Sequence, residues 1–414
     1  MKTSHIFYGW YIVAALFLIW TAVHGTVVSG FTSFIEPIRD RFGWTYTQIS
    51  FAASLRDLVL VIFMPVAGFL VDRFSARKLI FTGIIFTGLG LFFIGRISSL
   101  SQLYLCFILV GIGCCTTTAT IPLTIMGRWF KKKVSLVTGI VMAGAGAAGL
   151  CVPLVTEIID RFEWRIAMLV LGLGFWIIIS PLSFLVRQNP EQYGYLPDGE
   201  SNNNQDRKVD LTSVRNGESD PGVKKSLKSR AFWHISIAFA LHALIGSATM
   251  TYIMPYLSTI GITRLTSSYL AMALSIVSIF GRLGLGWAGD KFDKRRVAST
   301  GTITVGLGLL LFSCITSNAT WSTLLAVTLL GIGWGGGITL HSVILREYFG
   351  TGNLGSIVGI SVGITAIGLM SAPPLVSWIL ESTGSYRIVW IVLIGVAILS
   401  VVSQLTNRSP GIAR

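Results

Sequence analysis

One arginine stands inside an otherwise apolar stretch of the second half of the sequence. The stretch reads SIVSIFGRLGLGWAGDKFDKRR, and Arg282 precedes the next charged residue, Asp290, by eight positions, which is about 12 Å along a helix. A charge at that depth in a membrane costs at least about 2.5–3.5 kcal/mol. Because a guanidinium stays protonated and offers a planar fork of donors that matches a carboxylate, Arg282 is predicted to bind a carboxylate in a wet cavity, or else to form a structural ion pair.

Histidines in apolar stretches are the next candidates for chemistry. His24 and His242 are 218 residues apart, and His341 stands in a third apolar stretch. A histidine titrates near neutral pH and can donate to a carboxylate, although in a membrane it often only links two helices. The three are therefore candidates for the site that carries a proton. His242 is the first choice, because it belongs to the same half of the chain as Arg282.

Three further polar positions complete the set. Arg56 and Asp57 interrupt another apolar stretch, SLRDLVLV; neighbours in sequence point about 100° apart on a helix, so they need not pair with each other. Asp57 is a second kind of proton-carrier candidate, because burial favours the neutral carboxyl group; the alternative is a structural ion-pair network between helices. Tyr252, with His242, is a candidate donor to the bound anion. No spacing fits a metal, a cofactor or a catalytic triad, so no enzyme is predicted.

The elements that hold these residues are membrane-spanning helices. Of 414 residues, 52% are hydrophobic and 12% are charged, and the mean hydropathy is +0.72, which is too apolar for a soluble protein. A helix needs about 20 apolar residues to cross a bilayer. Twelve such segments can be delimited, at roughly 8–34, 46–71, 78–97, 101–127, 134–158, 164–186, 232–258, 267–289, 297–316, 321–347, 354–380 and 385–406.

The distribution of positive charge orients these segments. The net charge is +14, and 23 of the 32 Lys and Arg residues lie on the side of the membrane that holds the N-terminus, against 7 on the other side. Short loops rich in Lys and Arg stay in the cytoplasm. Both termini are therefore predicted to be cytoplasmic, and the positive charge is attributed to the lipid bilayer rather than to nucleic acid.

The chain repeats itself at a nearly constant interval. GFLVDRFSARK, Gly68–Lys78, matches GWAGDKFDKRR, Gly286–Arg296, at an interval of 218 residues. Parallel repeats of this length build secondary transporters with a binding site between the halves. The predicted organisation is a six-helix half at 1–186, a solvated and mobile cytoplasmic linker at 187–231, and a second six-helix half at 232–414.

The repeated stretch has the pattern G-x-x-x-D-[RK]-x-x-x-[RK]-[RK]. Through this pattern, the chain resembles the major facilitator superfamily, whose members have twelve transmembrane helices in two pseudo-symmetric six-helix halves. The resemblance implies that these loops form a gate latch on the cytoplasmic side. An aspartate at the membrane edge can accept hydrogen bonds from neighbouring helix N-termini. The gate residues implied are Gly68, Asp72, Arg73, Arg77, Gly286, Asp290, Lys294 and Arg295.

Three further stretches narrow the resemblance. FYGWYIV opens the first helix, RWFKKKVSLVTGIVMAGAGAAG leads into the fifth, and NPEQYGYLPDG follows the sixth. Together they are similar to the monocarboxylate transporter family and its bacterial oxalate:formate antiporter relatives. This implies that Arg282, in Phe280-Gly281-Arg282, binds the substrate carboxylate. It also implies a carrier that moves a lactate- or pyruvate-like anion with a proton, as a monomer, by alternating access in a bacterial inner membrane.

The sequence departs from that family at several positions. Animal-type carriers have an aspartate one turn before the arginine, where this chain has Ser278, and a lysine in the first helix, where this chain has none. The oxalate:formate antiporter has a lysine on the eleventh helix, whereas the segment 354–380 of this chain has no Lys, Arg or His. One fixed cation matches one negative charge, which favours a monocarboxylate over oxalate; a dianion would need a second cation, for which Arg56 is the candidate. Two alternatives remain: a carboxylate exchanger of the oxalate:formate type, and a carboxylate-binding membrane sensor that signals through the 187–231 loop.

Overall fold

The computed structural model describes residues 7–199, 222–315 and 320–406. In these residues the chain is all-α, without strands, and twelve helices are long and apolar enough to cross a membrane. The predicted fold class is confirmed, while the ends of both predicted halves and residues 200–221 of the predicted linker lie outside the described residues. The helices are α1 Gly9–Phe42, α2 Gln48–Arg73, α3 Ala76–Ile94, α4 Leu100–Trp129, α5 Val134–Cys151, α6 Arg161–Leu185, α7 Arg230–Thr259, α8 Tyr269–Lys291, α9 Lys294–Ser313, α10 Trp321–Phe349, α11 Leu354–Thr383 and α12 Tyr386–Thr406.

The first helix runs farther than its apolar stretch. It passes through a π-helical turn at His24–Ser29 and a 3-10 turn at Gly30–Phe34, and continues as the helix Ile35–Phe42. The predicted segment ends at residue 34 because the sequence IEPIRDRF that follows is charged. A charged helix can still form at the membrane edge, where water reaches its polar groups. The π-helical turn, a frequent feature of functional sites, begins at His24.

Two helices are broken at equivalent positions of the halves. In α4 the break lies between Thr117 and Thr120, where Ala119 has a φ of 47°. In α10 it lies between Thr339 and His341. Each break directs the second piece of the helix across the molecule: the end of α4 contacts α10 and α11, and the end of α10 contacts α4 and α5. The repeat therefore extends to the irregularities of the helices.

The halves meet along two helix pairs, α2 with α11 and α5 with α8. Glycines make both approaches close: a Cβ atom at Gly68 would collide with the carbonyl oxygen of Gly355, and one at Gly139 with the carbonyl oxygen of Arg282. Small residues allow membrane helices to approach in this way. We call the end of the bundle that holds the α2–α3 and α8–α9 connections the basic end.

A short stretch after α6 is fixed to the basic end. In residues 187–199, the cap segment, the guanidinium of Arg187 lies 3.9 Å from the ring centroid of Tyr8. The carboxylate of Asp198 accepts a 2.9 Å hydrogen bond from the N–H of Lys131. This part of the chain differs from the solvated linker that the sequence predicts, because aromatic and charged side chains tie it to α1 and to the end of α4.

Replacing Gly68 by alanine is expected to lower the thermal stability. The added methyl group would collide with the backbone of α11, which cannot rotate away, and overpacking of this kind costs typically about 1–3 kcal/mol. Gly395→Ala is the matched control, because its Cβ would have no atom within 4 Å. Equal melting temperatures of the two variants in detergent would contradict the close approach of α2 and α11.

Candidate functional site

Asp72, at the end of α2, joins the two halves at the basic end. Its carboxylate accepts hydrogen bonds from the backbone N–H groups of Gly355 and Ser356, at 3.0 and 2.7 Å, in the first turn of α11. Arg128 of α4 donates to the same carboxylate at 2.8 Å. The side chains of Arg128 and Asp72 are 9% and 8% exposed. The contact is therefore a buried, charge-assisted one at a helix N-terminus.

Asp290, at the end of α8, makes the equivalent contact. Its two carboxylate oxygens accept hydrogen bonds from the N–H groups of Ser135 and Leu136, at 2.8 and 2.9 Å, in the first turn of α5. Each half thus supplies an aspartate that holds the first turn of a helix in the other half. These are the hydrogen bonds that the repeated pattern predicts. The opening and closing of this latch stays a prediction.

The basic residues of the two repeated stretches bind groups of their own half. Asp293 lies between α8 and α9; partial burial raises the pKa of its carboxyl group, but the hydrogen bonds and charge of Arg295 outweigh this and hold the pKa below its usual value. These contacts shape the loops while the aspartates join the halves. The contacts of the basic residues are Arg73 over the ring of Phe69 (4.2 Å), Arg77 to the Val186 carbonyl (3.3 Å), Lys294 to Glu347 (3.0 Å) and Arg295 to Asp293 (2.7 Å).

A cavity of about 250 Å³ lies between the halves, beyond the close contacts of α2 with α11. Helices α1, α2 and α5 of the first half and α7, α8, α10 and α11 of the second line it. Three of the predicted site residues, His24, Asp57 and Arg282, meet at this cavity. Met64, which occupies the repeat position of Arg282, lines it as well. The structure therefore places one arginine and one methionine at equivalent points of the two halves.

Arg282 is a buried cation without a carboxylate partner. It is 7% exposed, and its Nη1 donates to the carbonyl oxygen of Met142 on α5. Its Nε is buried and has no hydrogen-bond partner. Among the residues that the structure describes, no carboxylate lies within 4.0 Å of the guanidinium. An uncompensated charge in the wall of a cavity is the arrangement that an anion would stabilise.

Arg56 and Asp57 form an ion pair within α2. The Nε and Nη2 atoms of Arg56 donate to Oδ1 of Asp57 at 2.9 and 2.8 Å, and Nη1 donates to the carbonyl oxygen of Val27 at 2.8 Å. The sequence analysis did not require these neighbours to pair, but the long arginine side chain folds back far enough to do so. The Asp57 side chain remains 33% exposed, and it is the member of the pair that lines the cavity.

His24 lines the cavity from α1 with one nitrogen engaged. Its Nδ1 lies 3.2 Å from the carbonyl oxygen of Trp20, one turn earlier, and the two rings stack with centroids 5.6 Å apart. Because a carbonyl oxygen only accepts, this hydrogen bond requires the hydrogen on Nδ1 and leaves a lone pair on Nε2. The His24 ring can therefore take up a proton at Nε2.

The other predicted polar residues lie outside the cavity lining. His242 is 1% exposed and stacks against Trp334. His341 bonds to Ser361 at 2.7 Å, and the hydroxyl of Tyr252 donates to a backbone carbonyl of α11 at 3.2 Å. In the structure these three side chains link helices. Their predicted roles toward the anion and the proton stay predictions.

The sequence analysis misses the residues that contact His24 and Arg282 at the cavity, Trp20 and Met142. Trp20 precedes His24 by one turn and lies on the same side of α1, so its spacing from that histidine is a signal that could have identified it. Met142 contacts Arg282 through its backbone carbonyl. A backbone contact depends on how α5 and α8 approach, which no side-chain pattern encodes.

The family of the chain follows from its match to a family model. The model of the Major Facilitator Superfamily matches residues 17–288 and 253–411. The chain belongs to the major facilitator superfamily. With twelve apolar helices in the part of the chain that the structure describes, this superfamily member is an integral membrane transporter. The resemblance predicted from the repeated stretch is confirmed.

This major facilitator chain is similar to monocarboxylate transporters over nearly its whole length. It is 24% identical to monocarboxylate transporter 12 of Mus musculus, over 92% of this chain and 81% of that protein. It is 25% identical to monocarboxylate transporter 12 of Xenopus laevis, over 97% and 90%, and 23% identical to monocarboxylate transporter 2 of Homo sapiens, over 92% and 81%. The narrower resemblance predicted from the sequence is confirmed.

Solved structures of other superfamily members have the same fold. A major facilitator superfamily transporter, FucP, in the outward conformation matches with a TM-score of 0.70 at 13% identity, over 95% of this chain and 97% of that one. The proton:xylose symporter XylE, bound to 6-bromo-6-deoxy-D-glucose, matches with a TM-score of 0.74 at 13% identity, over 95% and 94%. At this identity the likeness shows the fold alone.

Proposed function

We propose that this transporter moves a small monocarboxylate, lactate- or pyruvate-like, across the membrane together with a proton. The observation that carries the proposal is Arg282, a cation at the cavity between the halves with no carboxylate within 4.0 Å in the described part of the chain. A bound carboxylate would compensate this charge and accept from the unpartnered Nε. The similarity to monocarboxylate transporters supports the same class of cargo.

The charges around the cavity favour a single negative charge on the cargo. Arg56 already donates to Asp57 and to the carbonyl oxygen of Val27. Among the described residues that line the cavity, this leaves Arg282 as the one cation. A second negative charge on the cargo would stay uncompensated in a medium of low dielectric constant, so a monocarboxylate fits this site better than oxalate.

We assign the accompanying proton to His24. An anion moving alone would carry charge against the membrane potential, at about 2.3 kcal/mol per charge and 100 mV. A carboxylate bound at the cavity favours a protonated imidazole at its wall, so the anion and the proton bind cooperatively. Asp57 is the second candidate, but its protonation would remove the charge that pairs with Arg56. His242, the first choice from sequence, has its nitrogens next to Thr302 and a backbone carbonyl.

We assign the basic end to the cytoplasmic side, because Lys and Arg residues concentrate there, and we propose a bacterial inner membrane on the resemblance to the bacterial relatives. The contacts of Asp72 and Asp290 then close the cytoplasmic side, and the cavity loads from outside. Rocking of the two halves would break both contacts and release the cargo inward. This is alternating access with the aspartates as its latch.

Uptake of labelled pyruvate into proteoliposomes tests the coupling. Wild type is expected to accumulate pyruvate when an inward proton gradient is imposed. His24→Gln is expected to lose this accumulation and to keep exchange of external for internal pyruvate, because exchange needs no net proton movement. His234→Gln, which removes a histidine outside the cavity lining, should behave as wild type.

Two results would contradict the proposal in different ways. Uptake by wild type that ignores the gradient and requires internal carboxylate would identify an exchanger. Binding of pyruvate without uptake under any gradient would identify a sensor. Unchanged accumulation in His24→Gln would leave the carrier and move the proton site elsewhere, with Asp57→Asn as the next variant.

A further inference from the structure

We propose that the cavity selects monocarboxylates whose apolar side chain is larger than the methyl group of pyruvate, and that Trp20 and Trp334 bind this side chain. The inference rests on the proposed function, because it takes Arg282 as the ligand of the carboxylate. It concerns the part of the substrate that Arg282 does not contact. The proposed substrates are monocarboxylates with a branched or aromatic side chain.

The size and the lining of the cavity exceed the needs of a three-carbon acid. Its volume of about 250 Å³ approaches the roughly 300 Å³ at which pockets for drug-sized ligands begin. Four lining residues are polar, namely Arg282, His24, Asp57 and Thr365. A small acid would leave the apolar part of the wall exposed to water, whereas a larger apolar side chain would cover it. That wall includes Leu60, Met64, Met142, Ile338, Leu369 and Met370.

Trp334 is held at the cavity by two residues of α7 that are one turn apart. His242 stacks on its ring with centroids 5.4 Å apart and an interplanar angle of 14°. Gly246 leaves the space that the ring occupies, because a Cβ atom there would collide with it. His242 is itself bonded to Thr302 of α9 at 3.1 Å, and Gln404 of α12 donates to Thr302 at 3.2 Å. Three helices thus fix the ring before any ligand arrives.

Trp20 of α1 brings a second tryptophan to the cavity, from the other half. It is 4% exposed, lines the same cavity and stacks on His24 with an interplanar angle of 13°. Each half therefore contributes one tryptophan that stacks on a histidine, although Trp20 and His24 belong to one helix, whereas Trp334 and His242 belong to α10 and α7. Two rigid aromatic surfaces lose little freedom on binding. They can enclose a large apolar side chain, whereas the methyl group of pyruvate is too small to use both surfaces.

The expected signature is an affinity that rises with the size of the side chain. Each methylene group removed from water contributes roughly fourfold. From pyruvate to 2-oxobutanoate and to 4-methyl-2-oxopentanoate, which add one and three carbons, we expect the dissociation constant to fall by roughly 4-fold and roughly 60-fold, and we expect phenylpyruvate to bind at least as tightly as the branched acid. All four acids carry the same carboxylate and 2-oxo group, so the side chain is the variable.

Thermal unfolding of the purified protein in detergent, with each acid, provides the apparent dissociation constants. Wild type is compared with Trp334→Ala, which is expected to keep its affinity for pyruvate and to lose the increase along the series. Trp334→Phe retains a smaller ring, so its increase in affinity along the series is expected to lie between those of wild type and Trp334→Ala. It replaces the alanine variant in the comparison if that variant does not fold. Trp321→Ala is the matched control, because that side chain is 85% exposed on the outside of α10.

The outcomes separate this inference from the proposed function. A gradient of affinity in wild type and Trp321→Ala that is flat in Trp334→Ala supports the inference, even if proteoliposomes then show that no acid is taken up. Pyruvate uptake combined with weaker or equal binding of the larger acids overturns the inference and leaves the carrier standing. A gradient that persists in both Trp334 variants overturns it as well.

Discussion

Arg282→Ala is expected to reduce carboxylate uptake by roughly 30- to 4,000-fold, because truncating one partner of a buried charge pair costs about 2–5 kcal/mol. The guanidinium has a buried Nε without a partner and faces the cavity. Without it, a carboxylate would enter a mostly apolar cavity whose described lining holds no Lys or Arg. The measurement is the initial rate of labelled pyruvate uptake at several concentrations in proteoliposomes.

The controls for Arg282 separate binding from folding. Arg282→Lys keeps the charge but not the planar fork, and we expect uptake between that of alanine and wild type. Arg161→Ala removes an exposed arginine that pairs with Glu157 and should leave uptake unchanged. If Arg282→Ala elutes as a folded monomer and takes up pyruvate at the wild-type rate, Arg282 is not the anion ligand and the proposed function loses its basis.

Asp72→Ala is expected to shift the protein toward a state that is open at the basic end. The change leaves Arg128 buried without its carboxylate and frees the first N–H groups of α11. The ion pair with Arg128 lies within the first half, so the contact between the halves loses the hydrogen bonds from α11. A hydrogen bond to a charged group contributes about 1.5–3 kcal/mol, which is roughly a 10- to 150-fold shift in an equilibrium for each bond lost. The lost free energy destabilises the state in which the latch is closed, because Asp72 joins α2 to the other half only in that state.

Alkylation of a cysteine placed at Val343 measures this shift. Val343 is 2% exposed and lines a cleft at the basic end beside Arg128. In a background without the five native cysteines, Val343→Cys should react slowly with Asp72 present and much faster with Asp72→Ala. Asp40→Ala removes a carboxylate that is 68% exposed and should not change the rate. Slow alkylation in both would show that Asp72 does not hold the basic end closed.

Much of the fold could be predicted from the sequence, because a bilayer imposes a simple constraint on each helix. Length and hydropathy delimit the twelve helices, and the prediction fails chiefly where a helix continues into charged residues, as at Ile35–Phe42. The repeat predicts both aspartate contacts, since Asp72 and Asp290 occupy equivalent positions. The cap segment could not be predicted, because its contacts with Tyr8 and Lys131 join residues far apart in the chain.

The sequence by itself determined which residues are charged within the membrane, and for Arg282 this was sufficient to predict a cavity. A buried guanidinium is costly in any helix, so its presence is informative without knowledge of its neighbours. Only the tertiary structure decided which polar residues face that cavity. His24 and His242 are repeat mates, yet one lines the cavity and the other lies behind Trp334. The rotation of each helix and the ring packed beside it decide this, and both depend on residues distant in sequence.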